Sequence, residues 1–240
     1  MEKRNDCRYL RRLLYYNIGV QRMNYVLPNS NDKYKYILFR VPKNANSCLI
    51  GRENENHQHL ATNYITNNRL EKLDDVKALL KEQYDSYFKF AIVRNPWDRV
   101  VSCWKDKASP AHCDSWPDSV YCKARNDTFS EFIARIINKE FIEFINDPEF
   151  SIDDRHVLSQ TVLIPDDTDF ICRFENLQED FNTVCNKIGI PQQQLPHINK
   201  TEHTYYTEYY TDETKELVAN KYSKDIEHFG YKFDKSKNDG

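Results

Sequence analysis

The chain is predicted to be an α/β domain, with a central, mainly parallel sheet flanked by helices. Three observations predict this. Short runs of β-branched, aromatic and aliphatic residues end at polar punctuation, and segments with helical periodicity lie between them. The length, 240 residues, is that of one domain able to bury a substantial core.

Taken in order, residues 36–41 (Tyr-Ile-Leu-Phe-Arg-Val) form the first buried strand, stopped at Pro42, which cannot donate in a central ladder. Leu70, Leu73, Val76, Leu79 and Leu80 then recur at helical spacing, with Lys and Asp between them. Residues 88–93 (Phe-Lys-Phe-Ala-Ile-Val) are the second strand, closed by Arg94-Asn95-Pro96. Phe129, Phe132, Ile133, Ile136 and Ile137 predict another helix, capped by Thr128 or Ser130. Residues 169–174 are the third strand. The helix of Leu177, Phe181, Val184, Cys185 and Ile188 follows and stops at Gly189 and Pro191. Tyr205, Tyr206, Tyr209 and Tyr210 predict a tyrosine-rich helix carrying a packing stripe, with a sugar-stacking platform as the alternative. Trp97 and Trp104 are core residues or neighbours of a bound base. Residues 1–35 read as a basic, partly helical lead-in, 36–233 as the domain, and 234–240 as a polar tail.

Composition narrows the function classes. With 34 Lys and Arg against 37 Asp and Glu, the net charge is −3, which argues against a dedicated nucleic-acid binder. A 40% hydrophobic and 13% aromatic content excludes a disordered chain, and a mean hydropathy of −0.81 without a long apolar run excludes a membrane span. The seven cysteines are odd in number and lack a C-x-x-C pair, so neither a zinc site nor a disulfide framework is expected. Cys113 and Cys122 would close a loop only in an oxidising compartment. Lys3, Arg4, Arg8, Arg11 and Arg12 break the apolar residues of the N-terminus, which does not fit a signal peptide. The expectation is a cytoplasmic protein; the alternative is a lumenal or secreted one whose anchor has been removed. Two Asn-x-Thr sequons, at Asn126 and Asn199, carry weight only in that alternative. Five glycines are few, so any phosphate loop must be built without them.

Two loops carry the chemistry. After the first strand comes Val41-Pro42-Lys43-Asn44-Ala45-Asn46-Ser47-Cys48: a turn of small and polar residues with one Lys, running into a helix. Converging backbone amides at 44–48, the Lys43 charge and the Ser47 hydroxyl suit a phosphate-type anion. This is no Walker A sequence, since G-x-x-x-x-G-K-[ST] is absent. The alternative is an ordinary strand-to-helix turn with a solvated Lys. After the second strand, Arg94 precedes Pro96 at the first helical position, and Ser102 lies about two turns on. Arg94 offers a guanidinium fork to a phosphate monoester and Ser102 can complete its oxygen shell. The alternative is that Arg94 pairs locally with Asp98. Two such loops together suggest a ligand anionic at both ends.

Residues 41–47 resemble the 5′-phosphosulfate loop of sulfotransferases. Arg94-Asn95-Pro96-Trp97-Asp98-Arg99-Val100-Val101-Ser102-Cys103-Trp104-Lys105-Asp106-Lys107 is similar to their 3′-phosphate motif. The resemblance continues through Arg155-His156-Val157-Leu158-Ser159-Gln160, residues 170–177 and residues 225–231, and is to the carbohydrate-type sulfotransferases, family 2. Asn44 and Asn46 depart from the small residues usual there. The resemblance implies a P-loop-like three-layer fold and 3′-phosphoadenosine 5′-phosphosulfate as the donor, with a carbohydrate or small hydroxylated metabolite as acceptor, an amine being the lesser alternative. It implies that Lys43 and the amides from Asn44 to Cys48 hold the phosphosulfate, and that Arg94 and Ser102, with Lys200, hold the 3′-phosphate. Lys43 is the expected electrostatic catalyst. A positioned base would take the acceptor's proton: His57 or His59 first, His156 next. No metal is expected; Asp153-Asp154 and Asp166-Asp167 read as loop and cap residues. A kinase using ATP and a catalytically silent nucleotide-binding module are the rival readings.

Overall fold

Tyr25–Val26 (β1) and Pro28–Asn31 (β2) precede the first predicted strand, which runs from Tyr36 to Phe39 (β3). Short strands follow at Asn63–Tyr64 (β4) and Glu71–Lys72 (β5), then Phe88–Val93 (β6) and Phe170–Arg173 (β7). This computed structural model describes residues 25–50, 63–64, 71–107, 128–137, 152–195 and 204–234. Among them, the main sheet has the order β4-β2-β3-β6-β7, and β1 pairs separately with β5. β3, β6 and β7 are parallel, while β2 runs antiparallel to both β3 and β4. The three predicted strands thus form the parallel side of the sheet, with β7 at its edge. Residues 28–31, ahead of the boundary placed at 36, already belong to the sheet.

Nine helices lie among the described residues: α1 (Asn46–Ile50), α2 (Leu73–Leu80), α3 (Glu82–Ser86), α4 (Pro96–Lys107), α5 (Phe129–Ile137), α6 (Gln160–Leu163), α7 (Leu177–Ile188), α8 (Asp212–Lys221) and α9 (Ser223–Phe229). Thr128 is the cap of α5. Its hydroxyl accepts from the Glu131 amide at 3.4 Å, and the Glu131 carboxylate accepts the Thr128 amide at 2.7 Å, a reciprocal capping box. Gly189 ends α7 with φ 73°, the left-handed turn that glycine takes without strain.

Strand alternation splits the core into layers. Ile37, Phe39, Ala91 and Val93 face Leu73, Val76 and Leu80 of α2 and Leu163 of α6. Tyr36, Leu38, Phe90 and Ile92 face the opposite way, against Leu49 of α1 and Phe181, Val184 and Cys185 of α7. The result is helix, sheet, helix, the expected three-layer fold. A third cluster, built by α4, α5 and α8 around Trp97, Val101, Phe132 and Tyr222, lies against the second loop. Tyr206–Tyr209 is a single 3-10 turn rather than a helix, and Tyr206, Tyr209 and Tyr210 pack into that cluster as the stripe predicts.

Phe90 is fully buried, with its ring 5.8 Å from Tyr36 and 6.0 Å from Phe88. Phe90→Ala should cost about 3–5 kcal/mol in urea unfolding. Leu79→Ala, whose parent side chain is 63% exposed on α2, should change stability by less than about 0.5 kcal/mol.

Candidate active site

β3 and β6 pair in parallel with Phe39 opposite Ala91, so the loops that follow them emerge side by side at one sheet edge. The Arg94 guanidinium joins them: Nη1 donates to the Lys43 carbonyl at 3.1 Å. Its Nε donates to Asp98 Oδ2 at 2.8 Å, so the local pair the sequence also allows is formed. The Arg94 Cζ lies 4.0 Å from the Phe174 ring centroid, on the 3-10 turn Phe174–Asn176. Nη2 is then the donor left without a partner among the described residues.

The first loop turns without glycine. Lys43 and Ala45 both take left-handed backbone, at φ 72° and 57°, each costing about 1–2 kcal/mol for an L-residue. Interleaved left-handed residues turn successive amides toward a common concavity, a geometry that receives an anion. Side chains fasten this shape. Asn46 Nδ2 donates to the Val41 carbonyl at 2.6 Å, Asn44 Nδ2 to the Ile92 carbonyl at 2.7 Å, and Arg99 Nε to the Pro42 carbonyl at 3.1 Å. The two asparagines that depart from the family pattern are therefore the staples of the loop. The Cys48 amide donates to the Ala45 carbonyl at 2.9 Å and is already used in closing the turn.

Lys43 Nζ reaches Asp106 Oδ2 at 3.3 Å. Asp98, Ser102 and Asp106 follow at intervals of four along α4 and share a face. Arg94 is thus anchored one turn before Ser102, and Lys43 one turn after it. Ser102 is buried, and its hydroxyl has no hydrogen bond among the described residues.

Of the base candidates, His156 lies in the 3-10 turn Ile152–Val157, where its carbonyl accepts from Arg99 Nη2 at 3.1 Å. Arg99 therefore ties the His156 segment to the first loop. His57, His59 and Lys200 lie outside the described residues, as do Cys113, Cys122 and both sequon asparagines, and nothing is described of the Ser47 side chain. Trp97 is core: its indole Nε1 donates to the Lys215 carbonyl at 3.0 Å and its ring meets Phe233 edge-on. Trp104 packs on Phe129 and Tyr209.

Several residues escape sequence reasoning. Arg99, 2% exposed, also donates to the Leu158 carbonyl at 2.6 Å. Glu175 accepts the Asn95 amide at 2.6 Å and the Tyr231 hydroxyl at 3.1 Å. Burial, and then the Glu175 charge, push the Tyr231 phenol up from its ordinary value. Gln160 joins Asn44 to Arg94 through its carboxamide. None of these bonds follows a local pattern; the signal was that Arg99, Gln160, Glu175 and Tyr231 all lie in the stretches that resemble the family. Among the described residues, no group of three His, Cys, Asp or Glu is placed to hold a metal ion. None of the described helices is long and apolar enough to cross a membrane.

Two cation-bearing loops meeting at the carboxyl edge of a parallel sheet suit a ligand with two anionic ends. The chain belongs to the sulfotransferase family, whose model matches residues 7–232. Human carbohydrate sulfotransferase 9 is 30% identical over 222 residues, covering 81% of this chain and 47% of that protein. Carbohydrate sulfotransferase 10 of Xenopus laevis is 23% identical over 236 residues, covering 84% of this chain and 66% of the relative. An uncharacterised Archaeoglobus fulgidus protein is 28% identical over 120 residues, half of this chain and 82% of its own. The chain spans about half the length of the human relative. No solved structure matches it.

The strained loop is directly testable. Ala45→Val places a β-branched residue at positive φ and should be less stable than Ala45→Gly by at least about 1 kcal/mol in chemical denaturation. Equal stabilities would mean that the loop does not turn through a left-handed Ala45.

Proposed function

We propose that the chain transfers a sulfuryl group from 3′-phosphoadenosine 5′-phosphosulfate to a hydroxyl of a carbohydrate or of a small hydroxylated molecule. The observation that carries this reading is the hydrogen bond of 3.1 Å from Arg94 to the Lys43 carbonyl, which holds the two cationic loops side by side. Membership of the sulfotransferase family supports sulfuryl transfer. The names of the two vertebrate relatives, both carbohydrate sulfotransferases, support a carbohydrate acceptor.

In this reading the amides turned inward by Lys43 and Ala45 hold the phosphosulfate, and Arg94, through its remaining Nη2, holds the 3′-phosphate together with the Ser102 hydroxyl. Lys200 would add charge on that side. Transfer forms a bond from the acceptor oxygen to sulfur and breaks the bond from sulfur to the bridging phosphate oxygen. Charge develops on that leaving oxygen, where the Lys43 ammonium stabilises it. The acceptor proton passes to a histidine: His57, His59 or, on a segment tied to loop one by Arg99, His156. The sulfuryl group carries less charge than a phosphoryl group, so this chemistry asks for no metal clamp.

Adenosine 3′,5′-bisphosphate should stabilise the protein in a thermal-shift assay well beyond AMP, because only the former engages Arg94 and Ser102. At a hundred times its Kd it should add about 2.7 kcal/mol. Equal shifts from the two nucleotides would sink the assignment. Lys43→Ala should lose about a hundredfold or more in transfer of labelled sulfate. Its melting temperature should stay close to wild type, since the ion pair it removes has a half-exposed partner in Asp106. Undiminished turnover would remove Lys43 from the chemistry.

A further inference from the structure

The two loops are joined by one side chain outside both of them. Gln160 is fully buried at the start of α6. Its Oε1 accepts from the Arg94 amide at 2.9 Å and from Asn44 Nδ2 at 2.7 Å, while its Nε2 donates to the Arg94 carbonyl at 2.9 Å. Turning the carboxamide over would set an NH₂ group against two donors, so the pattern of partners fixes its orientation. A carboxamide that pairs both the N–H and the C=O of one residue does what a neighbouring strand does. It holds Arg94, one residue past the end of β6, as though the ladder continued. The Asn44 contact then pins loop one to the same group.

Gln160 is itself held from behind. Its backbone amide donates to Asp225 Oδ2 at 2.8 Å, and the Thr161 amide and hydroxyl both donate to Asp225 Oδ1 at 2.9 Å. Asp225, on α9, is likewise fully buried. A planar group with every bond made by a buried partner leaves the loops little freedom to slide past each other.

We infer that Gln160 is a positioning residue that sets the spacing between the two anion loops, and so selects a ligand whose two anionic groups lie at that spacing. This rests on the reading that both loops grip one nucleotide. When two sites bind the two ends of one ligand, the second contact forms at a high effective concentration only if geometry allows both at once. Loosening the spacing should therefore erode the advantage of the two-ended ligand and leave each one-ended grip intact. A side chain that merely supports the fold would weaken all three alike.

The test measures, by calorimetry, the affinities for adenosine 3′,5′-bisphosphate, adenosine 3′-monophosphate and AMP in wild type, Gln160→Met and Asn44→Ala. In Gln160→Met the advantage of the bisphosphate over either monophosphate should fall about tenfold or more, while each monophosphate affinity changes by less than about threefold. Should Gln160→Met fail to fold, Asn44→Ala carries the same test. It removes the loop-one arm together with the Asn44–Ile92 bond, so AMP is its control. The bisphosphate should lose its advantage while the AMP and 3′-monophosphate affinities both hold. A loss of AMP affinity on the same scale would mean a collapsed loop one and overturn the inference. An undiminished advantage in the folded variant, or a uniform loss across all three ligands, overturns the inference. A wild type that does not prefer the bisphosphate overturns the donor assignment, and this inference with it.

Discussion

The parallel pairing of β3 with β6 is the constraint on which the rest depends. In register from Tyr36 opposite Phe88 to Phe39 opposite Ala91, it ends two neighbouring strands at one edge of the sheet. Parallel strands need crossover connections and bury both faces, which is why α2 and α3 cover one side and α7 the other. It also means that whatever follows each strand meets whatever follows its neighbour. Antiparallel pairing would have sent Lys43 and Arg94 to opposite ends of the molecule.

Holding a phosphate-type loop in shape without glycine is the second constraint. Two left-handed L-residues, Lys43 and Ala45, together cost about 2–4 kcal/mol. The Oδ1 atoms of Asn44 and Asn46 are buried without a hydrogen-bond partner, which adds to that cost. Against this stand the Asn46–Val41, Asn44–Ile92, Asn44–Gln160 and Arg99–Pro42 bonds. At about 1 kcal/mol each for neutral bonds and more for the charged Arg99, they are of the same order as the strain. The loop is thus held open by its surroundings rather than by its own preference. Such strain persists where the surrounding structure over-determines a backbone.

This explains what was legible in the sequence. Strands β3, β6 and β7 were plain, because apolar runs bounded by Pro, Arg-Asn-Pro and an acidic stretch have no other stable placement. The cap of α5 and the stop of α7 were equally local, each decided by residues within a turn. β2 was not legible: Pro28-Asn29-Ser30-Asn31 has the composition of a turn and becomes a strand only through its pairing with β3 and β4. Three tyrosines of the stripe pack as expected while Tyr205 stays exposed, and the backbone over Tyr206–Tyr209 is a single 3-10 turn. At the site, the cations were visible and their tethers were not. Asn44 bonds Ile92 across 48 residues and Gln160 across 116, and Gln160 bonds the Arg94 amide across 66. A hydrogen bond to a distant backbone group needs only a polar side chain at one end. It leaves no periodicity to detect.

The carboxylates along α4 change how such a site would discriminate. Arg94 is held by Asp98 and Lys43 by Asp106, so neither cation stands as bare positive charge. An incoming anion therefore trades one negative partner for another, and its gain in Coulomb energy over the resting state is small. What it adds is geometry: the amides of loop one, the spare Arg94 nitrogen and the Ser102 hydroxyl, which has no hydrogen bond among the described residues; the carboxylates satisfy none of these. Net charge alone would then bind weakly. A ligand that places oxygens at both ends together gains the contacts that pairing has left open, and selectivity passes from field strength to spacing. The same carboxylates restrain the two cationic side chains before a ligand arrives, which lowers the conformational entropy lost on binding. In a chain of net charge −3, with little long-range pull on anions, recognition of the proposed two-ended ligand would have to come from this prearranged geometry.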